Sequence, residues 1–303
     1  VVVVDTSRVD DARDPEHDVA TQTLADANAD AVALAPTVPN ATVVADSTSP
    51  RGVRLTTIEV TLHRFVLAEL NTHRVFSRNS ASSRAIPVRR QVERIVHDPA
   101  MPVEFGSNQP GMQAGEPLDG GEADEARATW LAARDAAVEA AERLGALGVH
   151  KQVTNRLLEP FMWHTVIVSA TAWDGFWEQR CSPLAQPEIR VAAEAMRVAF
   201  DASTPTERDH DEWHTPYLHE DDGGLDAETA RRVSAARCAR VSYLTHDGRR
   251  DLDKDLELYE RLVTAQPPHW SPLEHVARPL ADGEASHGNL TGWQQLRHLT
   301  VDV

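Results

Sequence analysis

The sequence predicts a mixed α+β fold, built as one domain behind a loosely ordered lead-in. Three observations predict it. Val53–Thr61 ("VRLTTIEVT") is β-branched and reads as a strand. Two later segments carry helical stripes: Ala126, Trp130, Ala133, Ala137, Val138, Ala141 and Leu144 in one, and Ile189, Ala192, Ala193, Met196 and Phe200 in the other. Pro and Gly gather between them at 98–121, which marks a long surface excursion.

Taken in order, residues 1–45 are rich in Asp, Ala, Thr and Val with weak periodicity, and form the expected lead-in, with a short helix near Ala20–Ala31. The opening "VVVVDTSRVDDARD" lacks a basic n-region and is not read as a signal peptide. After the strand, Leu62, Phe65, Val66 and Leu70 recur at helical spacing, predicting a helix that ends near Asn71. Thr154–Ala172 is apolar enough to be buried, and Pro187–Ala202 is a helix. Residues 203–224 are acidic and loop-like, followed by helices near Asp226–Ala239 and Leu252–Ala265. The domain is expected to span 46–303. Its last part, about 226–303, reads as a partial repeat. The segments 47–74 and 269–298 each run Ser-Pro, a β-like run, a helix-like run, then His beside Arg, an echo that fits internal duplication or permutation.

Acids outnumber bases 47 to 30, for a formal charge of -17, and that field disfavours nucleic acid and anionic membranes as partners. No apolar run is long enough to cross a bilayer. Cys181 and Cys238 are the only cysteines, which argues for a reducing, cytoplasmic setting without a disulfide framework. A small anion can still bind where arginines converge.

Residues 71–84, "NTHRVFSRNSASSR", hold three arginines, four serines and a histidine without one acid. Two readings fit. In one, Arg74, Arg78 and Arg84 offer forked donors to an anion, and Ser77, Ser80, Ser82 and Ser83 add hydroxyls and close backbone approach. In the other, the stretch is a solvated polar loop. Arg180 follows the aromatic run Trp173–Trp177, where a charge needs a ligand or a partner such as Glu178 or Glu188. Cys181 has no neighbouring base and reads as a small buried residue. Arg156 leads an apolar run in which His164 reads as a core histidine. "HDEWH" spaces His210 and His214 as a zinc helix would, but Pro205, Pro216 and the lack of a third ligand argue against a metal. Neither GxGxxG nor GxxxxGK[ST] occurs.

The stretch "THRVFSRNSASSRA" resembles the signature of the flavin-dependent thymidylate synthases. His73, Arg74, Ser77, Asn79, Ser82 and Arg84 fall on that pattern, whereas Thr72, Ser80 and Ala85 replace its Arg, Glu and Tyr. "ARCARVSYLTHDG", "HWSPLEH", "NRLLEP" and "RCSPLAQPEI" resemble further segments of the family. Two of them, Ala239–Ser242 and Pro272–His275, precede the signature in the family and follow it here, so the chain resembles an order-shifted member. Its layout is similar to the UMP/dUMP C5-methylases of nucleoside-antibiotic pathways. The resemblance implies a thymidylate synthase-like α+β fold and a homo-oligomer with sites between subunits. It also implies C5-methylation of UMP or dUMP, with methylenetetrahydrofolate as carbon donor, FAD as cofactor and NADPH as reductant.

By family position, Arg180 is the catalytic residue against the uracil ring. Arg84, Ser80, Ser82, Ser83, Arg156 and Arg180 would hold the nucleotide. His73, Arg74, Arg78, Asn79 and His275 would hold the flavin, and no metal is implied. The departures at Thr72 and Ser80 leave two alternatives, C5-hydroxymethylation of a pyrimidine nucleotide and a non-catalytic nucleotide-binding relative.

Overall fold

A computed structural model describes residues 39–243 and 251–300. Strands β1 (Asn40–Thr48) and β2 (Arg54–His63) form an antiparallel hairpin. Its turn closes when Gly52 N–H donates to the Ser49 carbonyl at 2.8 Å, and Gly52 sits at φ 77°, where a side chain would strain the backbone. The lead-in boundary expected at 45 therefore falls inside a strand. Ala41 and Val43 of β1 pack on the main core, and that burial is what orders the segment. The helix expected near Ala20–Ala31 lies outside the described residues.

The strand β2 also runs further than expected. Leu62 and His63 pair with His164 and Trp163 across the sheet, so the ladder overrides the helical spacing of Leu62. A 3-10 turn, Arg64–Val66, and a short helix α1 (Leu67–Asn71) follow. Then come β3 (Ser77–Ser80), α2 (Val88–His97), α3 (Gly120–Ala146) and α4 (Lys151–Thr154). A 3-10 stretch, Asn155–Phe161, leads into β4 (Trp163–Ala170), α5 (Asp174–Arg180), α6 (Pro187–Ala202) and β5 (Thr206–Glu207). Helices α7 (Ala227–Arg240) and α8 (Leu252–Thr264) precede four short strands: β6 (Ala277–Pro279), β7 (Ser286–His287), β8 (Leu290–Thr291) and β9 (Trp293–Gln295). A terminal helical turn, α9 (Arg297–Thr300), ends the described chain. None of the helices among the described residues is long and apolar enough to cross a membrane.

The main sheet is ordered β3-β4-β2-β1-β5, with β3 at one edge. Alternation along β2 and β4 gives it two unlike faces. Ile58, Val60, Leu62, Val166, Val168 and Ala170 meet Phe176 and Trp177 of α5 and Ile189, Ala192, Ala193 and Met196 of α6. Fully burying one such large side chain contributes about 1.5–3 kcal/mol, so this face carries the main stability. The opposite face presents Thr57, Glu59, Thr61 and Ser169, a pattern that ordinarily faces water. Here the C-terminal half covers it. His275 Nδ1 bonds the Ser169 hydroxyl (2.8 Å), Ser169 bonds Thr57 (2.5 Å), Thr57 bonds His214 Nε2 (2.8 Å), and His214 Nδ1 bonds Ser47 (2.9 Å). The five groups form one buried polar line across β4, β2 and β1.

An ion-pair network fastens α7 to α8. Arg237 Nε donates to Asp255 (2.9 Å), Arg240 Nη2 donates to the same carboxylate (2.6 Å), and Arg237 Nη1 reaches Asp222 (2.6 Å). The echo between 47–74 and 269–298 does not correspond to a repeated fold. The first segment forms a 10-residue strand and a helix, whereas the second forms a 3-10 turn and strands of two or three residues.

Candidate functional site

The acid-free stretch is built around the edge strand β3, and strand alternation divides its side chains. Ser77 and Asn79 pair with Ser169 and Ile167 and so point under the C-terminal cover, whereas Arg78 and Ser80 point to the other face. Asn79 is a junction. Its Nδ2 donates to the Cys238 carbonyl (2.8 Å), and its Oδ1 accepts from the hydroxyls of Ser242 (3.3 Å) and Ser271 (3.2 Å). Gln295 Nε2 donates to Ser77 Oγ and to the Glu274 carbonyl, both at 2.8 Å. Asn289 donates to the Phe76 carbonyl at 3.3 Å, and Arg297 pairs with the Glu274 carboxylate. The segments at 238–242 and 271–275, far along the chain, thus dock on the same four-residue strand.

Just before β3, the chain makes a cationic corner with α5. Arg180 Nε donates to His73 Nε2 (2.9 Å), and Arg180 Nη2 donates to the Thr72 hydroxyl (3.0 Å) and the Glu69 carbonyl (3.3 Å). Of the guanidinium's five N–H groups, those on Nη1 make no hydrogen bond with the described residues. The His73 ring lies 4.9 Å edge-on from Phe176 and 5.7 Å from Phe76. Burial, then the charges of Arg180 and Arg78, hold its pKa below the ordinary histidine range. Among the described residues, Glu69 Oε2 is buried without a partner. Arg74 is exposed.

Beyond the other end of β3, the chain turns through Ser82, Ser83 and Arg84. The Ser82 N–H donates to the Ser242 carbonyl (2.9 Å), and Asn155 Nδ2 clamps the carbonyls of Ser83 (2.6 Å) and Ile86 (2.9 Å). Lys151 Nζ reaches the Ala85 carbonyl at 3.3 Å. Arg84 is exposed, and Arg156 donates to Glu159 at 2.7 Å. Glu159 also accepts from Arg64, whose Nη1 donates to His164 Nε2 at 3.0 Å. Burial, with Arg64 and Arg94 beside it, lowers the His164 pKa to about 3. Arg180 and Arg84 therefore flank β3 from opposite ends, and three strand rises alone separate Ser77 from Ser80 by about 10 Å.

Three of the residues expected to hold a flavin have other duties in this chain. Asn79 is buried because alternation turns it inward, and it spends its amide on Cys238, Ser242 and Ser271. His275 has no exposed surface. Its Nδ1 is bonded to Ser169, its Nε2 has no partner among the described residues, and burial lowers its pKa to about 3. Arg78 Nη1 caps the end of α1, donating to the carbonyls of Asn71 (3.1 Å) and His73 (3.2 Å). Ser83 is buried and Ser80 partly so. Neither Glu178 nor Glu188 partners Arg180; Glu188 instead accepts from the Val103 N–H. In "HDEWH", His210 is exposed while His214 is buried with both nitrogens committed, so the two do not converge. Burial pushes the Cys181 thiol upward, away from a thiolate.

Residues that sequence reasoning missed are Gln295, Glu274, Asn289 and Asn155, all of which shape the ends of β3. The Arg297–His298 pair had a signal, as the last step of the echo. A groove of about 470 Å³ on α3, lined by Phe105, Glu122, Glu125 and Trp130 among others, includes none of the candidate residues. The donor set at β3 suits a ligand rich in phosphate and carbonyl oxygens. Arg180 and the His73 ring meet at one end, next to the exposed Arg74 in sequence, and the exposed Arg84 follows the other end.

Residues 22–206 match the family model described as "Thymidylate synthase complementing protein". Among solved structures, one similar chain is a UMP/dUMP methylase PolB from Streptomyces cacaoi bound with 5-Br UMP, at 17% identity and a TM-score of 0.43, over 55% of this chain and 92% of that one. The same protein bound with 5-Br dUMP aligns at 16% identity and 0.41, over 54% and 89%. No curated protein matches the chain.

Proposed function

The chain belongs to the thymidylate synthase complementing protein family, and on that premise we propose that it methylates C5 of a uridine monophosphate, UMP or dUMP. Methylenetetrahydrofolate would give the carbon and NADPH the reducing equivalents. Bound FAD would supply the hydride and carbon-transfer chemistry that no side chain here can provide. The observation that carries the reading is the convergence at β3. Thr72 and His73 meet Arg180 across 107 and more residues, while Asn79 gathers Cys238, Ser242 and Ser271.

In this reading the protein supplies position and electrostatics. Negative charge grows on the uracil carbonyl oxygens as C5 attacks an electrophile. Arg180 offers its Nη1 edge to that charge, and its other donors are anchored so that little reorganisation is needed. Arg84 meets the 5′-phosphate, on a loop fixed by Asn155 and Lys151, with Ser82 and Ser80 beside it. Arg156 stands next to the clamp. His73 and Arg74 would hold the flavin. Arg74 and Val75 before β3 and Arg84 after it are all exposed. A second copy of the chain placed there would close the site and exclude water, so a homo-oligomer is part of the proposal.

Purified full-length protein incubated with UMP or dUMP, methylenetetrahydrofolate, FAD and NADPH is expected to yield a product with a methyl group in place of the C5 hydrogen, heavier by one CH2. A hydroxymethyl product would establish the hydroxymethylation alternative. No product, together with no flavin absorbance in the purified or FAD-loaded protein, would leave a non-catalytic nucleotide binder.

A further inference from the structure

Arginine has five donors and no acceptor. His73 Nε2, 2.9 Å from Arg180 Nε, must therefore accept and carries no proton in this arrangement. A cationic ring would set N–H against N–H and add a third charge beside Arg180 and Arg78. The proton of the neutral ring is thus on Nδ1, which makes no hydrogen bond with the described residues. The arrangement is braced from both sides. Phe176 and Phe76 fix the ring plane, and Thr72 and Glu69 hold the far edge of the guanidinium.

We propose that Arg180 is the tautomer lock of His73. His73 then meets the ligand as a neutral Nδ1–H donor to a carbonyl or phosphate oxygen, and takes no part in proton transfer. Arg180 acts here as a positioning residue through His73, whatever its Nη1 edge does. The lock follows from the contacts alone, whereas the nature of the acceptor rests on the ligand site proposed at this corner.

Full-length protein labelled with ¹⁵N-histidine tests the proposal through long-range ¹H–¹⁵N spectra, with the His73→Gln variant identifying the resonance. The expected wild-type spectrum is that of the Nδ1–H tautomer, staying neutral below the usual histidine range. Arg180→Met should move the ring toward the Nε2–H form and raise its pKa toward the ordinary value. Thr72→Val, at an exposed position, should loosen the lock partway and gives a second variant should the methionine protein not fold. An Nε2–H or cationic wild-type ring at neutral pH, or a tautomer unchanged in a folded Arg180→Met protein, would overturn the lock. Adding FAD or UMP should shift the Nδ1–H proton and slow its exchange. A locked ring that responds to neither would overturn the donor role and the reading of this corner as the ligand site. A response from an Nε2–H ring would overturn the lock alone.

Discussion

Arg84 and Asn79 stand five positions apart in the same stretch and are expected to fail in different ways. Arg84 is exposed, and no described contact depends on it, so Arg84→Ala should leave stability near wild type. Nucleotide binding should weaken by about 1.5–3 kcal/mol, the loss typical of a hydrogen bond to a charged group, with calorimetry against UMP as the check. Asn79→Ala is the opposite case. It leaves the buried Cys238 carbonyl and two serine hydroxyls without their partner, and should cost about 1–3 kcal/mol in denaturant titration. Unchanged stability would mean that those segments are held elsewhere. Sequence spacing picked out both residues but not this division of labour. Asn79 is expected at the ligand only through its place in the family signature. The alternation of a four-residue strand turned it inward, and so short an element has no periodicity to read beforehand.

At the level of elements, the helix α6 was legible to the residue because its apolar stripe and its Pro at the first turn agree. The start of α1 was misplaced because Leu62 fits a helical stripe and a strand equally well. The polar face of the sheet was illegible for a deeper reason. Thr57, Glu59 and Thr61 look like a solvent face; Thr61 finds Thr165 within the sheet, while His214 and Tyr217 from the C-terminal half partner Thr57 and Glu59. One of the fastenings for that half is Asp255, almost wholly buried between Arg237 and Arg240. Asp255→Ala removes the carboxylate that both guanidinium groups share, while Arg237 keeps Asp222, and should cost about 1–3 kcal/mol. Hydrogen exchange should then quicken in α7 and α8 ahead of the apolar face. Equal loss of protection across the sheet would show instead that the two halves unfold as one.

Across the whole molecule, the buried histidines set a response to acid. His164, His214 and His275 have their pKa values lowered to about 3, each mainly by burial. In the unfolded chain such rings titrate near 6.5. Below that pH the unfolded state holds protons that the native state refuses, so stability falls as pH falls, from about 6.5 down toward 3. Each ring contributes a slope of about 1.4 kcal/mol per pH unit within that window. Melting temperatures measured through it should drop steeply, and His164→Gln should flatten the slope. An unaltered slope would place the acid sensitivity on the carboxylates. The fold class and most elements could be read from residue patterns. The meeting of distant segments could not, because spacing along a chain carries no information about which surfaces it later covers.

The partners of Asn79 also impose a schedule on synthesis. Cys238 lies 159 residues downstream of it. At about 5–20 residues per second, a ribosome needs on the order of ten seconds to deliver that stretch. In the last part of that interval, once β4 and α5 have been made, the nascent sheet has one wet, hydroxyl-lined side, and the Arg180–His73 corner stands beside a strand whose inner neighbours have not yet been made.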